Sequence, residues 1–402
     1  LIALMKDQVD QLNALGIAAA RLDSSVDAEQ LHAIYQGLES GDIKLLYVAP
    51  ERLANERFLA RLRSMNISMM AVDEAHCVSE WGHNFRPDYL KLAQLATTLQ
   101  VGRGLALTAT ATPQVAEQIR DSFAIAPEDH VQTGFFRPNL SLELRPTPAA
   151  DRDKALLDAL RARGEESAIV YVTLQKTAEK VAAFLESQGL VAKAYHAGLK
   201  DEDRHGVQEA FMAGAVKGVV ATIAFGMGID KADIRGIYHY NLPKSLENYM
   251  QEIGRAGRDG KSSRCLLLAS SDDLTVLENF SYGDTPDPQA LDGLIRWLLQ
   301  QPDRFDLSVH ELSWQFDVRP LVINTLLTYL ELEGVIRATA PFYTEYKVGF
   351  QVPQDQILAS FNEERAAFLE QLFATGKQGR TWLTLTPADA SRRLAADRTR
   401  IL

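Results

Sequence analysis

Met69-Met70-Ala71-Val72-Asp73-Glu74-Ala75-His76 is an apolar run that stops on two carboxylates. So short a run with a polar boundary reads as a strand buried on both faces, as at the centre of a parallel sheet. In open α/β sheets, ligands bind beyond the carboxyl ends of strands, where Asp73 and Glu74 fall. Oxygen donors there suit Mg²⁺ and a water beside a nucleoside triphosphate. Asp73 is the candidate Mg²⁺ organiser, through water, and Glu74 the candidate base, with His76 in the same catalytic set. The alternative, a solvated strand end, loses ground once the rest of the chain is read.

Outward from this strand, the first block alternates helical patterns with brief apolar runs. Leu4, Met5, Val9, Leu12 and Leu15 make a helix face ending at Gly16, and Leu45–Val48 and Leu105–Leu107 read as further buried strands. A second block repeats the pattern, with strands expected at Ala168–Val172, Gly218–Ala221, Gly236–Tyr240 and Arg264–Leu268. Strands alternating with helices imply an α/β fold of two RecA-like parallel-sheet domains, 1–135 and 136–270. Phe136-Arg137-Pro138-Asn139 reads as the hinge, since proline does not sit in a central strand.

Beyond residue 271 the alternation stops. Residues 271–289 read as a linker and 290–352 as a mostly helical winged-helix-like module. In that module Ser308 caps a helix to Phe316, and Pro320 opens a longer one ended by Gly334. A hairpin is expected from Val335–Thr339 and Phe342–Phe350. The helix from Pro320 to Glu333 carries Glu331 and Glu333 and no lysine or arginine. It is therefore expected to pack on its own module and on the first two domains rather than meet phosphates. Residues 353–402 read as a helical extension. Both ends look cut, since Leu1 opens within a helical pattern and Ala388–Leu402 stops in one.

The most specific later string is Gln251-Glu252-Ile253-Gly254-Arg255-Ala256-Gly257-Arg258-Asp259-Gly260. At helical spacing Arg255 and Arg258 share a face that meets a terminal phosphate from the side opposite the carboxylates. Arg258 is the expected arginine finger, with Arg255 and Gln251 in support. Between the two strings lies Cys77–Tyr89, CVSEWGHNFRPDY. Trp81, His83, Phe85 and Tyr89 with Arg86 suit a platform that stacks bases and couples them to hydrolysis. The bland reading makes Trp81 and Phe85 plugs of the domain edge. Thr108, Thr110 and Thr112 end a strand with hydroxyls, and Thr112 before Pro113 is equally a helix N-cap, so only Thr108 and Thr110 are site candidates. Ala221–Asp230 follows a strand with glycines that admit phosphates, placing Thr222, Gly228 and Asp230 among the candidates. His196-Ala197-Gly198 is a weaker phosphate-turn candidate.

Bulk properties bound these readings. The 402 residues suffice for two or three domains, and the net charge of −11 argues mildly against nucleic acid, leaving room for a local basic groove. No apolar run is long enough to cross a bilayer. Cys77 and Cys265, the two cysteines, make neither a disulfide framework nor a zinc finger, so no zinc is expected and a reducing, intracellular setting fits best.

LIALMKDQVDQL, LLYVAPERL, DEAHCVSEWGHNFRPDY, ALTATAT, VVATIAFGMGIDK and QEIGRAGRDG each resemble, in order, a motif of the RecQ DNA helicases. The resemblance covers roughly residues 1–270. It implies ATP- and Mg²⁺-dependent 3′-to-5′ unwinding of single-stranded and forked DNA in repair, recombination or replication. It also implies no membrane, and a cytoplasmic setting (nucleoid-associated in a bacterium, nuclear in a eukaryote). The family's GxGKS-type phosphate loop is expected upstream of Leu1, so the fragment alone is expected to be inactive. Lacking the usual four-cysteine module, Ser308–Phe350 is similar to the zinc-free branch typified by the human Rothmund–Thomson helicase. The alternatives are an RNA helicase of the same superfamily and a nucleic-acid-binding scaffold with an inactive motor.

Overall fold

The computed structural model describes residues 2–401 except 24, 80–84, 224, 226–228, 230, 284, 340–344 and 380–381. Of the candidate residues, Trp81, His83, Gly228 and Asp230 lie outside the described residues, as do Phe342 and Tyr343 of the expected hairpin.

The first lobe runs α1 (Ile2–Ala14), β1 (Ala19–Leu22), α2 (Ala28–Glu39), β2 (Leu45–Val48), α3 (Glu56–Arg63) and β3 (Met70–Val72). It continues with α4 (Pro87–Thr98), β4 (Gly104–Ala106) and α5 (Pro113–Phe123). Among the described residues its strands form two parallel pairs, β1–β2 and β3–β4, rather than one continuous sheet. Each pair has its own small core, around Leu22, Phe58 and Leu62 for the first and around Val72, Val78, Leu92 and Val115 for the second. Thr112 does cap α5, accepting from Val115 N, with Pro113 at the first helical position.

The second lobe runs β5 (Leu140–Pro146), α6 (Arg152–Arg163), β6 (Ser167–Tyr171), α7 (Gln175–Ser187) and β7 (Ala192–Tyr195). It ends with α8 (Asp201–Met212), β8 (Gly218–Ala221), β9 (Ile234–His239), α9 (Leu246–Ile253) and β10 (Ser263–Ala269). Six strands make one all-parallel sheet in the order β5-β10-β9-β6-β8-β7. β6 explains why its sequence is apolar at every second position on both faces. Ala168 and Val170 enter the core beneath α6 and α7, while Ile169 and Tyr171 enter the core beneath α8 and α9. β5 and β7 are not among the expected strands; they are the sheet's two edges, and β5 leaves Leu142 and Leu144 exposed.

Most of the expected linker is helix. A single turn at Ser271–Asp273 leads into α10 (Leu274–Gly283), and α11 (Pro288–Leu299) follows closely. With α12 (Val309–Phe316) and α13 (Pro320–Leu332), α11 buries Leu294, Leu298, Leu312, Val318 and Ile323 in one core. α13 also packs on α4 of the first lobe, where Lys91 pairs with Glu331, as its lack of basic residues leads one to expect.

Chain packing divides the protein at 338/339, not at the expected 352/353. The unit 339–402 holds β11 (Tyr346–Val348), α14 (Gln354–Ala359), α15 (Glu363–Thr375), β12 (Lys377–Gln378) and β13 (Leu383–Leu385). It closes with α16 (Pro387–Leu394) and α17 (Arg398–Ile401), two helices separated at Ala395, whose φ is +47°, where one continuous helix was expected. Among the described residues the expected hairpin pairing of 335–339 with 342–350 is not seen. β11 pairs antiparallel with β13, and β13 with β12, while the described residues 335–339 belong to no strand. Side chains from β11, β13, α15 and α16 share a small core at Leu372, Leu383, Leu385 and Ala390. That shared burial, available only to the folded unit, outweighs the short-range hairpin.

Candidate active site

β3 delivers Asp73 and Glu74 to its carboxyl end, as its short apolar sequence implies. Asp73 is exposed, and its Oδ1 accepts from Glu74 N at 2.9 Å. Glu74 adopts a left-handed conformation (φ +52°, ψ +41°) as the N-cap of a single turn at Ala75–Val78, an unusual backbone for a residue with a Cβ. Ala75 N donates to Leu107 O at 2.8 Å, tying that turn to the adjoining strand end.

Behind the carboxylates lies a hydrogen-bonded relay. His76 is buried, with Nδ1 3.3 Å from Glu74 Oε2 and 2.9 Å from Thr108 Oγ. Thr108 Oγ donates to Thr110 O and accepts from Thr110 N, each at 3.2 Å. With the hydroxyl donating to Thr110 O, the imidazole proton falls on Nδ1, which faces both Thr108 Oγ and Glu74 Oε2. Thr110 Oγ is buried without a hydrogen bond. The Thr108 side chain thus bonds within the carboxylate's own lobe.

The link between lobes runs through Glu74 itself. Gln251 Nε2, from α9, lies 3.5 Å from Glu74 Oε1, a long hydrogen bond. Burial raises the Glu74 pKa first, and Asp73 raises it further, while the positive charges of Arg255 and Arg86 pull it back. One arginine comes from each lobe.

Arg255 and Arg258 do not sit on a helix. α9 ends at Ile253, Gly254 caps it, and Gly257 turns the chain at φ +55°. The expected helical spacing of the two arginines is broken here, with Gly257 in the left-handed region that glycine adopts readily. Arg255 is consequently buried and Arg258 exposed. Arg255 hydrogen-bonds the buried Tyr171 hydroxyl, whose pKa burial raises well above the usual phenol range.

Under this turn lies a cluster missing from the candidates. His239 Nε2 and Glu252 Oε2 are 2.7 Å apart, both buried, and the His239 ring stacks on Tyr171 with centroids 5.5 Å apart. Glu252 stood inside the quoted arginine string, but nothing local marks which of two adjacent polar residues turns inward.

In the stacking segment, Phe85 is half-buried and Arg86 exposed, its N–H donating to Cys77 O at 3.0 Å. Tyr89 is a correction. Two positions into α4 and three before Leu92, it shares that helix's inward face and is buried in the first lobe's core. Its hydroxyl is pushed up to about 12, with burial the chief cause, as is the buried Cys77 thiol. Thr222, at the end of β8, is half-buried and donates through N to Tyr195 O at 3.2 Å.

Residues 1–119 match the DEAD/DEAH box helicase family model, and residues 151–260 match the helicase conserved C-terminal domain. The chain is 37% identical over 346 residues to "ATP-dependent DNA helicase Q-like 5" of Arabidopsis thaliana, covering 83% of this chain and 38% of that protein. It is 41% identical over 277 residues to "ATP-dependent DNA helicase RecQ" of Bacillus subtilis, covering 69% of this chain and 46% of that one. The chain therefore spans less than half the length of these relatives. Its fold is similar to that of the Mycobacterium smegmatis helicase Lhr bound to ssDNA and AMP-PNP. That likeness has a TM-score of 0.51 and 19% identity, and covers 89% of this chain and 52% of that one.

Proposed function

The chain belongs to the RecQ-type DEAD/DEAH-box helicases, and from that membership we propose that it is the motor region of an ATP-dependent DNA helicase. The observation that carries this reading is the meeting at Glu74: Gln251 and the charge of Arg255 reach it from the opposite lobe. A base supported from both sides of a cleft is what hydrolysis tied to lobe movement requires.

In this reading Glu74 takes the proton of the attacking water, held in place by His76 and Thr108. Arg258, exposed on its turn, meets the charge developing on the terminal phosphate, while the buried Arg255 and Gln251 hold the cleft in register. Asp73 would hold Mg²⁺ through water. The donor set fits, since Mg²⁺ prefers oxygen, keeps several waters and leans on substrate phosphates rather than on a protein cage. When bound, Mg²⁺ supplies neutralisation of phosphate charge. Gly228, Asp230 and Thr222 complete the nucleotide and DNA faces of the second lobe. Trp81, His83, Phe85 and Arg86 couple single-stranded or forked DNA to Glu74, which the charge of Arg86 already reaches. The reading includes no structural zinc, since the two cysteines, Cys77 and Cys265, stand in different lobes and offer no thiolate cluster.

In the full-length protein, Glu74→Gln should abolish DNA-stimulated ATP hydrolysis while nucleotide binding persists, since shape survives and the base does not. Hydrolysis within a factor of a few of wild type would remove Glu74 from this role. Equal stimulation by RNA and DNA would favour the RNA-helicase alternative.

A further inference from the structure

We propose that Arg137 is a positioning residue for ATP hydrolysis, its one guanidinium holding the two peptide units that carry Arg255 and Arg258. The role rests on the hydrolysis reading above. Arg137 lies half-buried in the connection between α5 and β5 that the sequence marks as a hinge. Its Nη1 donates to Gly254 O at 2.9 Å and its Nη2 to Gly257 O at 2.5 Å. Those carbonyls belong to the peptide units whose N–H groups are those of Arg255 and Arg258. Fixing the two planes places the N–Cα bonds from which both arginine side chains depart.

A guanidinium suits this task because its donors are held in a rigid planar fork, whereas an ammonium offers one mobile point. Asn139 reinforces the grip, with Nδ2 donating to Gly257 O at 2.8 Å and to Lys261 O at 3.0 Å. Gly257 leaves room for the approach: a Cβ there would lie 2.6 Å from Asn139 Nδ2. On the turn's other flank Arg235 pairs with Asp259 and donates to Ser263 Oγ at 3.1 Å. The turn is thus held on one flank by two side chains of the inter-lobe connection, Arg137 and Asn139, and on the other by Arg235 of β9. Displacement of that connection is passed to the arginines directly, without a chain of intervening packing.

The test compares Arg137→Ala, Arg137→Lys and wild type in the full-length protein. For Arg137→Ala, kcat for DNA-stimulated ATP hydrolysis should fall by about 10- to 100-fold, the order expected when a reacting group is misplaced by about an ångström. KM for ATP should stay within about twofold, since the interaction lost acts only in the transition state. Arg137→Lys should recover little of the loss, and added methylguanidinium should recover part of it in Arg137→Ala. A second readout needs no catalysis: limited trypsin digestion, read by mass spectrometry, should cut after Arg258 several-fold faster in Arg137→Ala. Unchanged kcat together with unchanged cleavage would overturn the proposal. So would a fall in kcat matched by a rise in KM and a lowered unfolding midpoint, which would mark a general structural role. If wild type shows no DNA-stimulated hydrolysis, the helicase reading falls, and the cleavage rates still decide whether Arg137 holds the turn.

Discussion

A carboxyl partly withdrawn from water keeps its proton to higher pH than an exposed one, and Glu74 is in that position. Burial is the largest influence raising it from the ordinary 4.5, with Asp73 adding to the rise and Arg255 and Arg86 opposing it. The ionised form is the base, so activity present at high pH is lost as pH falls through the raised pKa. The acid limb of kcat against pH should therefore lie above 4.5. Arg86→Gln should move it further up, because a cation favouring the carboxylate is gone. A limb at or below the ordinary glutamate range, unmoved by Arg86→Gln, would contradict this account. At this scale the sequence is legible where chemistry and position coincide, as in Asp73 and Glu74 at a strand end. It is least legible for Tyr89, where an aromatic beside an arginine suits a base platform and a helix interior equally well.

Elements were legible in proportion to how much of their pattern comes from immediate neighbours. α12 and α13 are announced by a capping serine, a proline at the first helical position and a closing glycine, and they form where those signals stand. Their packing makes a definite expectation. Ile323 is fully buried among Leu294, Leu298 and Leu312, so Ile323→Ala should cost roughly 2–5 kcal/mol of the helical module's stability. Denaturant unfolding followed by tryptophan fluorescence would detect it through Trp297, which packs on that core. A loss well under 1 kcal/mol would mean that this core is not a cooperative part of the fold. α9 illustrates the opposite case. Arginine spacing suggests a helix through Arg258, yet Gly254 and Gly257 end it, and a two-glycine interruption is a stronger local signal than charge periodicity.

For the whole molecule, the division at 338/339 changes how the C-terminal region is to be tested. Deleting a presumed hairpin at 342–350 would remove β11 from a sheet it shares with β13 and damage the unit's core. Removing residues 339–402 entirely is the cleaner cut. In the full-length protein this deletion should weaken binding to forked DNA, measured by fluorescence anisotropy. It should leave ATP hydrolysis stimulated by single-stranded DNA within about twofold, because the proposed stacking segment and Glu74 belong to the first lobe. Unchanged fork binding would remove the unit from DNA recognition. Collapse of the ATPase would show that the lobes depend on it.

By itself the sequence determined the alternation of strands and helices, the carboxylates at the end of β3, the caps of α5, α12 and α13, and the helix ends at Gly16 and Gly334. These are properties of residues within a few positions of one another, where backbone preference and side-chain period act directly. Tertiary structure alone decided that Arg255 is buried and Arg258 exposed, that Gln251 reaches Glu74, that Arg137 grips the arginine turn, and that β11 seeks β13. Each of these joins residues far apart in the chain. Their partners are chosen by which faces remain to be buried once the local elements have formed, and no window of sequence contains that information.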